Sequence, residues 1–272
     1  MSLRIFNTIN LLVRCWEVAE RELCNQVDEL SPGAEEEMVT AFFSQKLAAE
    51  LLAANRADAF ASAFLEDLRY NFPRLRGLSV LRKISGGLIA DVTWHNRTTE
   101  KLTGGDFGLV IASPIVSDAG SHLNIGGSQR GLLVQAKLKN GLGEWRGFSK
   151  QQKKVLPQCF GFLAILLYEY NDPLRRALHS FQWQNCAGYS MEEAMTWMKT
   201  GVYPNRQASG DVIRDLGNGS IGTDSHNEIA TLIAPERNRG LEIRIDWPDG
   251  RGPDAHVYVH SAVQSVQRTL ER

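Results

Sequence analysis

The sequence predicts one mixed α/β domain spanning residues 1–272. Three observations carry that expectation. The first third places apolar residues at helical spacing, the middle turns abruptly to short β-branched runs, and no long linker interrupts the chain. The length fits one large domain or two small ones at about 100–200 residues each, and it is ample for a sizeable core.

The elements follow in chain order. Residues 3–30 mix Leu, Ile, Val and Trp with charges at near-helical spacing, and Ser31-Pro32-Gly33 breaks that run. Ser31 suits the cap of a second helix with Pro32 at its first position. Glu35, Glu36 and Glu37 then stand where the helix dipole favours acids, and MVTAFFSQKLAAELLAA continues with good helix formers. AFASAFLEDLRYNF predicts a third helix, ending at Pro73.

The texture changes at LRKISGGLIADVTWHN, where Gly-Gly is followed by β-branched alternation. Residues 98–106 predict a turn, FGLVIAS (107–113) a buried strand, 117–130 a polar loop, and GLLVQAKLK (131–139) a further strand. Together these predict a three-stranded meander. VLPQCFGFLAILLYEY is apolar on most sides and predicts a helix buried against the sheet, closed by Asn171-Asp172-Pro173. Ser190 with Glu193 forms a capping box for a short helix that Gly201 ends. Residues 205–225 predict a surface loop. LEIRIDW (241–247) and HVYVHS (256–261) predict paired strands joined through Trp247-Pro248-Asp249-Gly250, and SAVQSVQRTLER a terminal helix.

Composition excludes several classes. At 43% hydrophobic and 22% charged, with 24 Gly and 9 Pro, the chain is neither collagen-like nor disordered. Thirty basic residues against thirty-one acidic give a net charge of −1, so a polyanion site has to be local. No segment approaches the roughly 20 apolar residues of a membrane span, and no membrane partner is expected. The opening MSLRIFNTINLLVRCWEV lacks a small-residue cleavage site and reads as mature structure. Cys15, Cys24, Cys159 and Cys186 form no CxxC pair, which points to buried thiols in a reducing, cytoplasmic setting. The six His residues form no HxH or HExxH pattern, and GGSQRG (126–131) lacks the Lys-Ser/Thr of a phosphate loop.

The informative segment is TGGDFGLVIAS followed by GLLVQAKLK. Gln135 and Lys137 stand two apart on one strand and share a face. If the two strands pair as a hairpin, Asp106 joins them at one end. Two oxygen ligands and an ammonium then surround one point. Phosphodiester hydrolysis uses such a cluster, because a hard cation prefers oxygen donors and polarises the phosphoryl group, while a Lys orients water or neutralises developing charge. The same residues also suit plainer roles. Asp106 is a good turn residue after Gly-Gly, Gln135 and Lys137 fit a solvated strand face, and Glu35–Glu37 fit a helix start.

The order helical Glu, GGD before an apolar strand, then QxK resembles the PD-(D/E)xK superfamily of restriction-endonuclease-like nucleases. The QxK form is similar to Mrr-type enzymes and nuclease domains of anti-phage effectors. The resemblance covers about residues 30–170, and residues 175–272 form an extension of unassigned role. It implies a central sheet flanked by helices. It also implies a Mg²⁺- or Mn²⁺-dependent endonuclease acting on DNA ahead of RNA, in restriction or anti-phage defence. By the same resemblance Asp106, Gln135, Glu36 and the Ala136 carbonyl bind metal, and Lys137 is the catalytic lysine. Gly105 replaces the family Pro, and Gln135 replaces an acid, which removes one negative charge from the metal site. Lys150, Lys153 and Lys154, extended by Lys139 and Arg146, are candidate phosphate contacts or a solvated helix face. Gln151 or Gln152 is placed to reach the site, as helix Gln residues do in some relatives. Control by a regulatory partner or a homo-oligomeric switch is expected. Two alternatives stand beside the nuclease. One is a catalytically inactive nucleic-acid-binding or structural subunit of the same fold. The other is an unrelated interaction module, in which Asp106, Gln135 and Lys137 would not converge.

Overall fold

The computed structural model describes residues 5–25, 36–71, 87–119, 122–139, 145, 147–170, 178–233, 240–246 and 253–260. In chain order the elements are α1 (Phe6–Asn25), α2 (Glu36–Arg56), α3 (Ala59–Asn71), β1 (Gly87–Trp94), α4 (Arg97–Thr103), β2 (Phe107–Ala119) and β3 (His122–Leu138). There follow α5 (Lys150–Val155), a 3₁₀ turn (Leu156–Phe162), β4 (Leu163–Tyr170), β5 (Leu178–Asn185), α6 (Met191–Thr200) and β6 (Arg206–Gln207). The last are α7 (Ser209–Asn218), α8 (His226–Leu232), β7 (Gly240–Asp246) and β8 (Asp254–Val259).

The strands form one eight-stranded sheet in the order β6-β5-β4-β3-β2-β1-β7-β8. β3 and β4 run parallel, and the other neighbours are antiparallel. The fold is therefore mixed α/β. The expected β1–β2–β3 meander and β7–β8 pair are present. Four of the eight strands (β5 to β8) come from the C-terminal extension, which flanks the meander on both sides.

Apolar cores lie on both faces. Leu132, Val134, Ala136 and Leu138 of β3 face α1, α2, α3 and α7, together with Ala164, Leu166 and Tyr168 of β4. Leu133 of β3 and Leu163, Ile165 and Leu167 of β4 face the 3₁₀ turn, α6 and α8. This two-sided burial corrects the expected helix at 155–170. A strand covered on both faces loses its polar alternation and reads as one apolar run. The crossover from β3 to its parallel neighbour is carried by α5 and the 3₁₀ turn, with Pro157 in the latter's first turn.

Three further expectations are corrected. Residues 97–103 form α4 rather than a turn, because the Asn96 side chain accepts from the N–H groups of Thr98 and Thr99 and Gly104 ends the helix at φ 78°. Residues 117–130 extend the β2–β3 hairpin, pairing as far as Ala119 and His122, since a ladder forms through main-chain groups whatever the side chains. The loop at 205–225 contains β6 and α7, whose Val212, Ile213 and Leu216 are buried. The capping box at Ser190 and Glu193 and the left-handed Gly201 of α6 are as expected. Ser31, Pro32, the Asn171–Pro173 stop, the turn at 247–250 and the terminal helix lie outside the described residues.

A buried carboxylate ties the helical layer. Asp67 of α3 accepts from the Asn7 N–H at 2.7 Å, the Thr8 N–H at 2.9 Å and the Thr8 hydroxyl at 2.8 Å. It thus caps the first turn of α1 from 59 residues away.

Candidate functional site

The site exists because β3 outruns β2. The ladder between them ends at Phe107 and Val134, so residues 135–138 of β3 keep a partner only on the β4 side. The main-chain N–H groups of Ala136 and Leu138 point from the open edge, and two carboxylates accept them. Asp106 Oδ2 lies 2.6 Å from Ala136 N, and Glu36 Oε2 lies 3.1 Å from Leu138 N. Buried donors require acceptors, and here distant acids supply them.

Asp106 reaches that edge through the two glycines before it. Gly104 carries the left-handed conformation that ends α4. A Cβ on Gly105 would lie 2.7 Å from Leu133 Cγ and 3.0 Å from the Val134 carbonyl oxygen. The chain can therefore press against β3, and the Asp106 N–H donates to the Val134 carbonyl at 2.8 Å. His95 secures the other side. Its N–H donates to the Asp106 carbonyl at 2.9 Å, while its ring nitrogens lie 2.9 Å from the Gly105 oxygen and 3.1 Å from the Leu232 oxygen. Burial holds the His95 pKa below its ordinary value, against the pull of those carbonyls.

Glu36 comes from the start of α2. The Thr40 hydroxyl donates to the Glu36 carbonyl at 2.9 Å, which leaves Tyr168 of β4 to donate its phenolic hydrogen to Thr40 at 3.0 Å. Burial raises the Tyr168 pKa, so the phenol stays protonated for that bond. The first turn of α2 is thereby tied to the strand beside the site.

The four side chains converge. Lys137 Nζ lies 3.4 Å from Glu36 Oε1 and 5.7 Å from the Phe148 ring centre. Gln135 Nε2 lies 2.6 Å from Asp106 Oδ2 and 2.9 Å from the Ala136 carbonyl oxygen. Gln135 and Lys137 are both buried, on the same face of β3. Part of Asp106 reaches solvent, but burial of its carboxyl group and then the Glu36 carboxylate push its pKa well above the usual range. The Lys137 ammonium and the Ala136 N–H oppose that push, and Glu100 adds to it.

The basic residues divide. Lys150, Lys153 and Lys154 are exposed along α5. Lys139 instead pairs with Glu169 at 2.7 Å and stands 5.7 Å from the Trp145 ring centre. Arg146 and Glu35 lie outside the described residues. Gln151 turns away and donates to the Lys101 carbonyl. Gln152 turns inward and donates to Gln135 Oε1 at 2.9 Å.

The donors that fit a hard divalent cation are the Asp106 and Glu36 carboxylates and the Ala136 carbonyl. Gln135 presents its amide nitrogen to Asp106 and the Ala136 carbonyl. Among the described residues no group of three or more His, Cys, Asp or Glu side chains gathers as a metal cluster. No thiolate competes for a nucleophilic role. The four cysteines are free, and burial pushes Cys15, Cys24 and Cys159 up to about 11.

Sequence reasoning left His95, Thr40 and Tyr168 without a role at this site. His95 had a signal only in its place at the strand end facing GGD. The other two had none, since their meeting spans 128 positions.

Fold and site define a mixed α/β protein with an Asp–Gln–Lys–Glu cluster, its Gln and Lys buried and its two acids partly so, at an open inner strand edge. No protein-family model, curated protein or solved structure matches the chain. Among the described residues no helix is long and apolar enough to cross a membrane.

Proposed function

We propose that this chain is a divalent-metal-dependent nuclease with a restriction-endonuclease-like core, hydrolysing phosphodiester bonds in DNA ahead of RNA. The observation that carries the reading is the convergence of Asp106, Glu36, the Ala136 carbonyl and Lys137 at the open edge of β3. Asp106, Glu36 and the Ala136 carbonyl would hold Mg²⁺ or Mn²⁺. When bound, such an ion supplies Lewis acidity toward a phosphoryl oxygen and acidifies coordinated water. Lys137, held by Glu36, donates hydrogen bonds to the attacking water or to the phosphate as charge develops on it. The lysines of α5 attract the phosphate backbone. Restriction or anti-phage defence, with control by a partner or by self-association, is the setting this chemistry suits.

One observation favours a second reading, a non-catalytic nucleic-acid-binding subunit of the same fold. The Gln135 amide nitrogen stands between two of the metal-ligating oxygens. Plasmid cleavage decides between the two. The nuclease reading expects supercoiled DNA to be nicked or linearised with Mg²⁺ or Mn²⁺. EDTA, Asp106→Ala and Lys137→Ala each abolish that cleavage. Nucleic-acid binding without cleavage, unchanged by Asp106→Ala, selects the second reading.

A further inference from the structure

We infer that Gln135 is a hydrogen-bond donor bridging Asp106 and the Ala136 carbonyl, not an oxygen ligand, and that Gln152 of α5 is the positioning residue that locks it so. The consequence for cation binding rests on the metal-dependent reading above, whereas the orientation of the amide does not.

One chain of hydrogen bonds links α5 to the site, and its two ends leave no choice of direction. At the α5 end, the Ser149 main-chain N–H lies 3.0 Å from Gln152 Oε1. A main-chain nitrogen only donates, so the Gln152 oxygen has to face it. That bond is half of a capping box, whose other half is the Gln152 N–H donating to Ser149 Oγ at 3.1 Å. Gln152 therefore points its amide nitrogen inward, 2.9 Å from Gln135 Oε1. The Gln135 oxygen is thereby taken, and its nitrogen faces the site. At that far end both partners, Asp106 Oδ2 and the Ala136 carbonyl, are acceptors. Every link is a donor meeting an acceptor. Rotating either amide sets oxygen against oxygen or nitrogen against nitrogen. Gln135 and Gln152 are both buried, so water is not at hand to repair such a mismatch.

The Gln135 amide hydrogens thus engage two oxygens that would otherwise ligate a cation. Helix α5, through its own cap, holds the site in a self-satisfied state. A cation that uses Asp106 and the Ala136 carbonyl has to displace that amide. Loss of the donor is then a gain for the metal, opposite to the effect of losing a ligand.

Two measurements on the full chain test this. The first is nuclear Overhauser spectroscopy on metal-free protein. The inferred orientation puts the Gln135 side-chain amide protons beside the Ala136 amide proton. Cross-peaks between them are expected, and their absence, with cross-peaks to the Gln152 side-chain amide instead, overturns the inference. This outcome is independent of any metal. The second is Mn²⁺ affinity by electron paramagnetic resonance for the parent, Gln135→Met and Gln152→Glu. Gln135→Met is expected to bind Mn²⁺ on the order of tenfold more tightly, the effect of one hydrogen-bonded competitor removed. Weaker binding makes Gln135 a ligand and overturns the inference. In Gln152→Glu, one carboxylate oxygen keeps the bond from Ser149. The other requires a donor from Gln135, which turns the Gln135 oxygen into the site and again tightens Mn²⁺. That gain is expected to vanish when Gln135 is already Met. Its persistence there is a bare charge effect and overturns the lock. Absence of Mn²⁺ binding in all variants removes the metal-dependent reading, and the cross-peaks still decide the orientation.

Discussion

Lys137 Nζ lies 3.4 Å from Glu36 Oε1, although 101 positions separate the two residues. Both side chains are largely withdrawn from water, with side-chain exposures of 5% and 16%. A buried pair contributes little over an apolar replacement of both members, but removing one leaves a stranded charge. Lys137→Met is therefore expected to destabilise the chain by roughly 2–4 kcal/mol. Glu36→Gln costs less, because an amide oxygen still accepts from the Leu138 N–H. Urea denaturation of both variants and the double variant checks this. The double variant should lose less than the sum of the singles, by about 1 kcal/mol or more. Strict additivity would show that the two groups do not interact.

The approach of Asp106 to β3 depends on an absent side chain. Gly105→Ala sets a Cβ against Leu133 and the Val134 carbonyl, and that carbonyl cannot move without breaking the bond from the Asp106 N–H. A cost of about 1–3 kcal/mol is expected, read as a lower thermal midpoint. Cleavage or Mn²⁺ binding should suffer as well, since Asp106 is displaced. An unchanged midpoint would mean that the loop has room to relax.

Glu20 of α1 gives the fold a pH dependence. Its carboxyl accepts from Trp16 Nε1 at 2.9 Å and from the Ser209 hydroxyl, which itself accepts from Trp183 Nε1 at 2.6 Å. Burial pushes its pKa from the ordinary 4.5 up to about 8, and these bonds only partly offset that. The folded chain therefore holds the Glu20 proton more tightly than the unfolded chain does. The stabilisation is complete below the unfolded pKa and is lost as pH rises through the folded one. Between about pH 5 and 8 this group lowers stability by up to ~1.4 kcal/mol per pH unit. Glu20→Gln should remove that slope, as measured by denaturation at several pH values. A parallel pH profile in the variant would exclude Glu20 as its source.

The lysines of α5 are expected to act through charge alone. Replacing Lys150, Lys153 and Lys154 together by Ala should weaken duplex binding uniformly across sequences. The slope of log affinity against log salt should fall by roughly 0.9 for each phosphate no longer neutralised. Fluorescence anisotropy over a salt series measures both. An unchanged slope places the nucleic acid elsewhere, while the fold tolerates the change because all three side chains are exposed.

Residues that act through near neighbours were legible without the fold. The capping box at Ser190 and Glu193, the stop at Gly201, and the shared face of Gln135 and Lys137 follow from spacings of two to eleven positions, where chain geometry alone sets what can meet. GGD before an apolar strand was legible for the same reason. Tertiary structure decided the rest. It made 163–170 a strand by covering both of its faces, which an apolar run cannot announce. It brought Glu36 to Lys137 and Leu138, a choice that helix-start chemistry leaves open among three adjacent acids. It also set which atom of Gln135 meets Asp106, because an amide has two chemically opposite ends and its partners, Gln152 on one side and Asp106 with the Ala136 carbonyl on the other, determine which end turns inward.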